Sequence, residues 1–206
     1  MIPHAEPGRW RVPALAGTTA LVAIPIGLWS LLLLALPYSA TLALALKLVL
    51  WGTLALAYPR LERANPAAFL GLDKAPHLGW LFGGAVFIAG YSLLIHGGRP
   101  DLPPISAFYL VSAVIVSPVV EEAAFRGVLL RRLDSMVGAT GGNLATAALF
   151  VLYHVPLWLA RGSDISAMGC LWVACFSVWM GYVLHRKGSL WTCIGIHALN
   201  NLMLGN

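Results

Sequence analysis

The stretch Val111-Ser-Ala-Val-Ile-Val-Ser-Pro-Val-Val-Glu-Glu-Ala-Ala-Phe-Arg126 decides the fold. It is almost wholly apolar, yet it carries two adjacent acids, Glu121 and Glu122. An ionised carboxylate in hydrocarbon costs several kcal/mol by most estimates, so an acidic pair there needs a compensating partner or a task. Two further apolar segments each hold a histidine, His154 and His197. Two acids and two histidines on three apolar helices suggest a proton-handling site within a membrane.

The rest of the chain agrees with a bilayer setting. Of 206 residues, 59% are hydrophobic and only 10% charged, and the mean hydropathy is +0.81. Soluble domains carry about 25% charged residues, so a soluble class is excluded. The net charge of +5 does not imply a nucleic-acid partner, because the basic residues are scattered between apolar segments. They read as topology determinants. The expected partners are the lipid bilayer and a membrane-embedded or membrane-tethered peptide.

A span needs about 20 apolar residues. The candidates are 14–36, 38–58, 79–97, 106–129, 143–160, 167–185 and 190–204, with loops over 59–78, 98–105, 134–142, 161–166 and 186–189. Arg9-Trp10-Arg11 ahead of the first run resembles a signal peptide, but the run is too long for an h-region, and an uncleaved span is expected. Lysine and arginine alternate between the loops. Arg9, Arg11, Arg60, Arg63, Lys74, Arg131, Arg132, Arg186 and Lys187 fall on one side, against Arg99 and Arg161 on the other. The expected fold is therefore all-α, a polytopic transmembrane helix bundle of about seven spans with a cytoplasmic N-terminus. Residues 1–105 hold a cytoplasmic tail and spans one to three, and 106–206 hold spans four to seven, all in one structural domain.

The same markers set depth. Glu121 lies ten residues before Arg131, His154 eleven after Asn143, and His197 ten after Lys187. At 1.5 Å per residue each sits about 15 Å from the cytoplasmic end of its helix. Glu122 and Arg126 are four apart, hence on one face and able to pair, while Glu121 points about 100° away. A purely structural Glu–Arg bridge between helices is the alternative reading of that pair. Phe150 precedes His154 by four, and a lone histidine there is more often a core residue than a catalyst. His197 and Asn201 are again four apart, and Asn200 is expected to face elsewhere. At one shared depth, the three elements reinforce one another.

Glu121-Glu122-x-x-x-Arg126, Phe150-x-x-x-His154 and His197-x-x-x-Asn201 resemble the three signature motifs of the CAAX protease and bacteriocin-processing (CPBP) family, which includes the type II CAAX prenyl endopeptidases. The resemblance covers roughly residues 106–204. It implies a glutamate-dependent intramembrane endopeptidase in which Glu121 with His154 activates a water. His197 and Asn201 would stabilise the oxyanion, and Glu122, Arg126 and Phe150 would orient the site. Removing an oxyanion donor costs other proteases about 10²–10³ in rate.

Other readings stay beside this one. Glu121, His154 and His197 could hold zinc with an open position, although His-Glu-x-x-His is missing and asparagine is an unusual zinc ligand. The metal-free mechanism, with no cofactor, is the expectation. A non-catalytic scaffold or a bacteriocin self-immunity protein would share the fold. A proton-coupled transporter would more typically show internal repeats, and none is seen. The Ala, Leu, Gly, Arg and Trp bias points to a high-GC bacterial gene and to the inner (plasma) membrane. A substrate such as a C-terminal processing or sorting signal would suit it. Cys170, Cys175 and Cys193 read as small packing residues. Lys47, mid-span, either pairs with a glutamate or snorkels, His185 reads as interfacial, and the eight tryptophans fit interface belts and packing, with no substrate cage.

Overall fold

Apolar runs of this length have one stable form in lipid, the α-helix, because it satisfies every backbone N–H and C=O internally. The computed structural model describes residues 14–95 and 105–204. The first elements are α1 (Ala14–Ala35), α2 (Ala40–Leu61), the short α3 (Pro66–Leu70) and α4 (Leu78–Ile95). The hydrogen-bonded run Ala107–Ala160 follows, then α7 (Ala167–Lys187) and α8 (Leu190–Leu204). Among the described residues, five helical runs are long and apolar enough to cross a membrane, and α8 is a shorter apolar helix. The chain is an all-α polytopic bundle and an integral membrane protein.

The run Ala107–Ala160 turns at Gly138, whose φ of 77° and ψ of 166° lie where only glycine sits without strain. We number its parts α5 (107–137) and α6 (139–160). The loop expected over 134–142 is thus corrected to a break of one residue. Of the glycines that suggest a loop, Gly138 makes the break and Gly142 serves close packing. A Cβ on Gly142 would lie 2.6 Å from the backbone nitrogen of Asp134.

The outer boundaries follow local chemistry. Ser39 caps α2 by accepting from the Leu42 amide, and Asn65 caps α3, which has Pro66 in its first turn and ends at the left-handed Gly71. Ser166 caps α7, and Gly188, at φ 69°, ends it. In the packed bundle α6 lies on α7 and α1, and α8 on α4 and α5. Small residues allow the close approaches: a Cβ on Gly195 would meet Leu81, and one on Gly181 would meet Asn143. The core is aromatic, with Trp29, Trp51, Phe125 and Tyr153 fully buried. Trp51 stacks on Phe125 at 4.9 Å and Trp29 on Tyr153 at 4.9 Å.

Of the cysteines, Cys193 is buried in this core, Cys170 is partly buried and Cys175 is exposed. Packing therefore describes Cys193, and Cys175 faces outward. His185 is held by Asp134 at 2.6 Å, a specific partner where a loose interfacial histidine is expected. The sequence boundaries 96–97 of the third span lie outside the described residues.

Candidate active site

The two glutamates sit on a single regular turn, Ser117–Glu122, between two stretches in which α5 widens to i→i+5 hydrogen bonding, Leu110–Val116 and Ala123–Leu130. Pro118 lacks the N–H that would bond four residues back, and the helix is wide just before it. Such widened turns recur at functional sites because they re-aim the side chains around them. A third one, Leu48–Gly52, begins directly after Lys47 on α2.

Glu121 is 3% exposed, and Glu122 and Arg126 are fully buried. Lys47 settles its open reading by pairing with Glu121: its Nζ donates to Oε1 at 2.5 Å and to Ser117 Oγ at 2.8 Å. The Tyr153 hydroxyl donates to the same carboxylate oxygen at 3.1 Å. The other oxygen, Oε2, lies 3.7 Å from His197 Nε2. Glu122 accepts from His197 Nδ1 at 2.7 Å and pairs with Arg126 at 3.2 Å. Arg126 also donates to Ser177 Oγ at 2.9 Å, and its guanidinium lies 4.3 Å over the Phe150 ring. Charges that would be costly alone are therefore placed in two linked sets, Lys47–Glu121 and Arg126–Glu122–His197.

His154 donates from Nδ1 to the Phe150 carbonyl at 2.7 Å. A carbonyl can only accept, so this bond fixes the tautomer and leaves Nε2 with a free lone pair. Asn201 donates to the Ala113 carbonyl at 2.8 Å, which leaves its second amide hydrogen for another acceptor. Tyr109 donates to the Asn201 carbonyl and fixes that turn. Asn200 does not face elsewhere as expected. It bonds to Asn201 at 3.3 Å and accepts from Trp172 at 3.2 Å. A step of about 100° along α8 still leaves both side chains on the cavity side.

These groups share one cavity. Glu121, His154, His197, Asn200 and Asn201 line it with Lys47, Ser117 and Phe150, while Trp158, Arg161 and Trp172 form an outer part. The space open to water centres is about 60 Å³, enough for a few waters. Two of the eight tryptophans thus wall the cavity, a placement that belts and packing do not foresee. A second cavity, lined by Trp29, Tyr38, Ala43 and Leu44, adjoins it through Lys47, Ser117, Leu157 and Arg161.

Residues 103–203, the part that carries all three motifs, match the family model described as Type II CAAX prenyl endopeptidase Rce1-like. Over that stretch the chain is similar to this family. No curated protein and no solved structure gave a match to it. The Rce1-like stretch takes in Glu121, Glu122, Arg126, Phe150, His154, His197 and Asn201, and it stops short of Lys47, which reaches the same carboxylate from α2.

Zinc fits poorly in this Rce1-like site. Among the described residues no three His, Cys, Asp or Glu side chains converge as a metal-binding group. Lys47 already occupies Oε1 of Glu121. A cation beside Glu121 would also face the lysine ammonium.

Proposed function

We propose that this chain is an intramembrane endopeptidase that cleaves a membrane-tethered peptide or C-terminal processing signal with a glutamate-activated water, without a metal. One observation carries the reading: Glu121, His154, His197 and Asn201, from three helices, line one water-sized cavity in an otherwise aromatic and aliphatic bundle.

The roles follow from the hydrogen bonds. Lys47 and Tyr153 hold Oε1 of Glu121, so Oε2 is the oxygen left to take a proton. A water between Oε2 and the free Nε2 of His154 loses its proton as its oxygen bonds to the scissile carbonyl carbon. The carbonyl oxygen becomes an oxyanion, which accepts from the second amide hydrogen of Asn201 and from Nε2–H of the His197 ring in its protonated form. The C–N bond then breaks, and Glu121 returns its proton to the leaving amine. Glu122, fixed by Arg126, orients His197 through Nδ1. Low polarity around the site strengthens each of these contacts. The setting proposed for it is a bacterial inner membrane.

The test is processing of a membrane-tethered reporter peptide in cells that make the wild type or Glu121→Gln at matched membrane levels. A processed fragment with the wild type and none with the variant is expected. Equal processing removes Glu121 as the base.

A further inference from the structure

The two ends of the bundle differ in charge, and the cavity is joined to only one of them. At one end Ser189 Oγ donates to the Lys74 carbonyl at 3.0 Å, the Leu190 amide to the Gly71 carbonyl at 3.1 Å, and Arg131 lies 5.8 Å over the Phe69 ring. Arg186 and Lys187 stand in the last turn of α7 at the same end, and Arg132 donates to Thr18 near the start of α1 at 2.7 Å. At the other end Arg161 donates to the Tyr38 hydroxyl at 2.9 Å, and Tyr91 stacks on Trp172 at 3.7 Å. Among the described residues, Arg161 is the one lysine or arginine of that second end. Lysines and arginines near span ends are retained on the cytoplasmic side, which makes the first end cytoplasmic and the second extracytoplasmic.

The cavity extends from Glu121 toward the second end on every helix. Ala113 and Ser117 precede the glutamates on α5, Trp158 and Arg161 follow His154 on α6, and Trp172 opens α7. Arg161 at its rim is exposed. The adjoining cavity leads the same way, to Tyr38 at the α1–α2 turn. Toward the cytoplasmic end the way is shut. Phe125, Arg126, Leu129 and Leu130 are all 0% exposed.

We infer that the site is reached from the extracytoplasmic face, so that the substrate is a peptide segment already carried across the membrane. This rests on the peptidase reading for the word substrate, while the face of access does not depend on it. The reaction that supplies the substrate is then protein translocation, and the cleaved segment is released outside the cytoplasm. Arg161 with Tyr38 at the rim is the first polar contact such a segment meets.

The experiment uses the full chain with Cys170, Cys175 and Cys193 replaced, in right-side-out membrane vesicles. Ala113→Cys in the cavity wall, Ser163→Cys in the exposed turn beside Arg161 and Ala75→Cys at the basic end are each treated with a trimethylammonium methanethiosulfonate, which does not cross bilayers. Modification of Ala113→Cys and Ser163→Cys in intact vesicles, with Ala75→Cys modified only after lysis, is expected. Modification of Ala75→Cys in intact vesicles with Ser163→Cys protected overturns the inference. So does an Ala113→Cys that reacts only after lysis while Ser163→Cys reacts at once. The labelling stands whether or not any peptide is cleaved. A protein that labels as expected and cleaves nothing counts against the peptidase reading alone.

Discussion

Glu121 takes a partner from outside the three motifs, and this is the feature of single residues that most shapes the account. Lys47 and Glu121 are buried together at 2.5 Å, so removing one leaves the other as an uncompensated charge in the bundle. Breaking such a pair typically costs about 3–5 kcal/mol. Lys47→Met is expected to lower stability by that order in thermal unfolding of the detergent-solubilised protein, and adding Glu121→Gln is expected to recover most of the loss. Equal stability of Lys47→Met and the wild type would contradict the pair. Asn201→Ala removes one oxyanion donor of the proposed mechanism and should lower kcat by about 10²–10³ with little change in KM. Cys175→Ser, at an exposed position away from the cavity, should leave both stability and cleavage unchanged, and an inactive enzyme would assign that thiol a role. The glutamates, histidines and Asn201 were legible because charge and amide groups stand out against apolar neighbours. Lys47 was visible as an anomaly, but its partner lies 74 positions away and no local spacing can connect them. Asn200 was misplaced because a helical wheel gives direction around one axis and not the width of the cavity that the axis faces.

Helix boundaries tell a similar story at the level of elements. Apolar length and capping chemistry place α1, α2, α4, α7 and α8 within a few residues of expectation, since serine, asparagine and glycine act locally at helix ends. The stretch 134–142 failed that logic. Its glycines look like loop residues, yet Gly138 alone leaves the helical conformation, and Gly142 is there because α6 starts against the Asp134 backbone. A glycine-to-alanine change within a helix ordinarily stabilises it by about 1 kcal/mol. Here the sign should reverse. Gly142→Ala places a Cβ 2.6 Å from a backbone nitrogen, so a lower melting temperature is expected, and a higher one would show that the contact yields. The widened turns beside Lys47 and on both sides of the glutamates were also hidden, because they depend on hydrogen-bond register and carry no composition of their own.

Across the whole molecule, the bundle solves one problem twice. It holds six ionisable groups and two asparagines inside an apolar body by pairing them within and across helices, and it walls them with aromatic rings that leave a lining toward one end. Composition alone predicts the membrane setting, and the three motifs predict the family likeness. The outer walls, Trp158 on α6, Trp172 on α7 and Tyr38 in the α1–α2 turn, come together only when the chain is folded. The central claim is that a buried carboxylate, and no metal, activates water here. The measurement that tests it most directly is cleavage of a membrane-tethered peptide by purified protein in lipid nanodiscs. The wild type and Glu121→Gln would each be assayed before and after exhaustive treatment with a strong zinc chelator. Undiminished cleavage by the chelated wild type, with none by Glu121→Gln, is the predicted result. Cleavage that chelation removes and zinc restores, or cleavage that survives in Glu121→Gln, would contradict it.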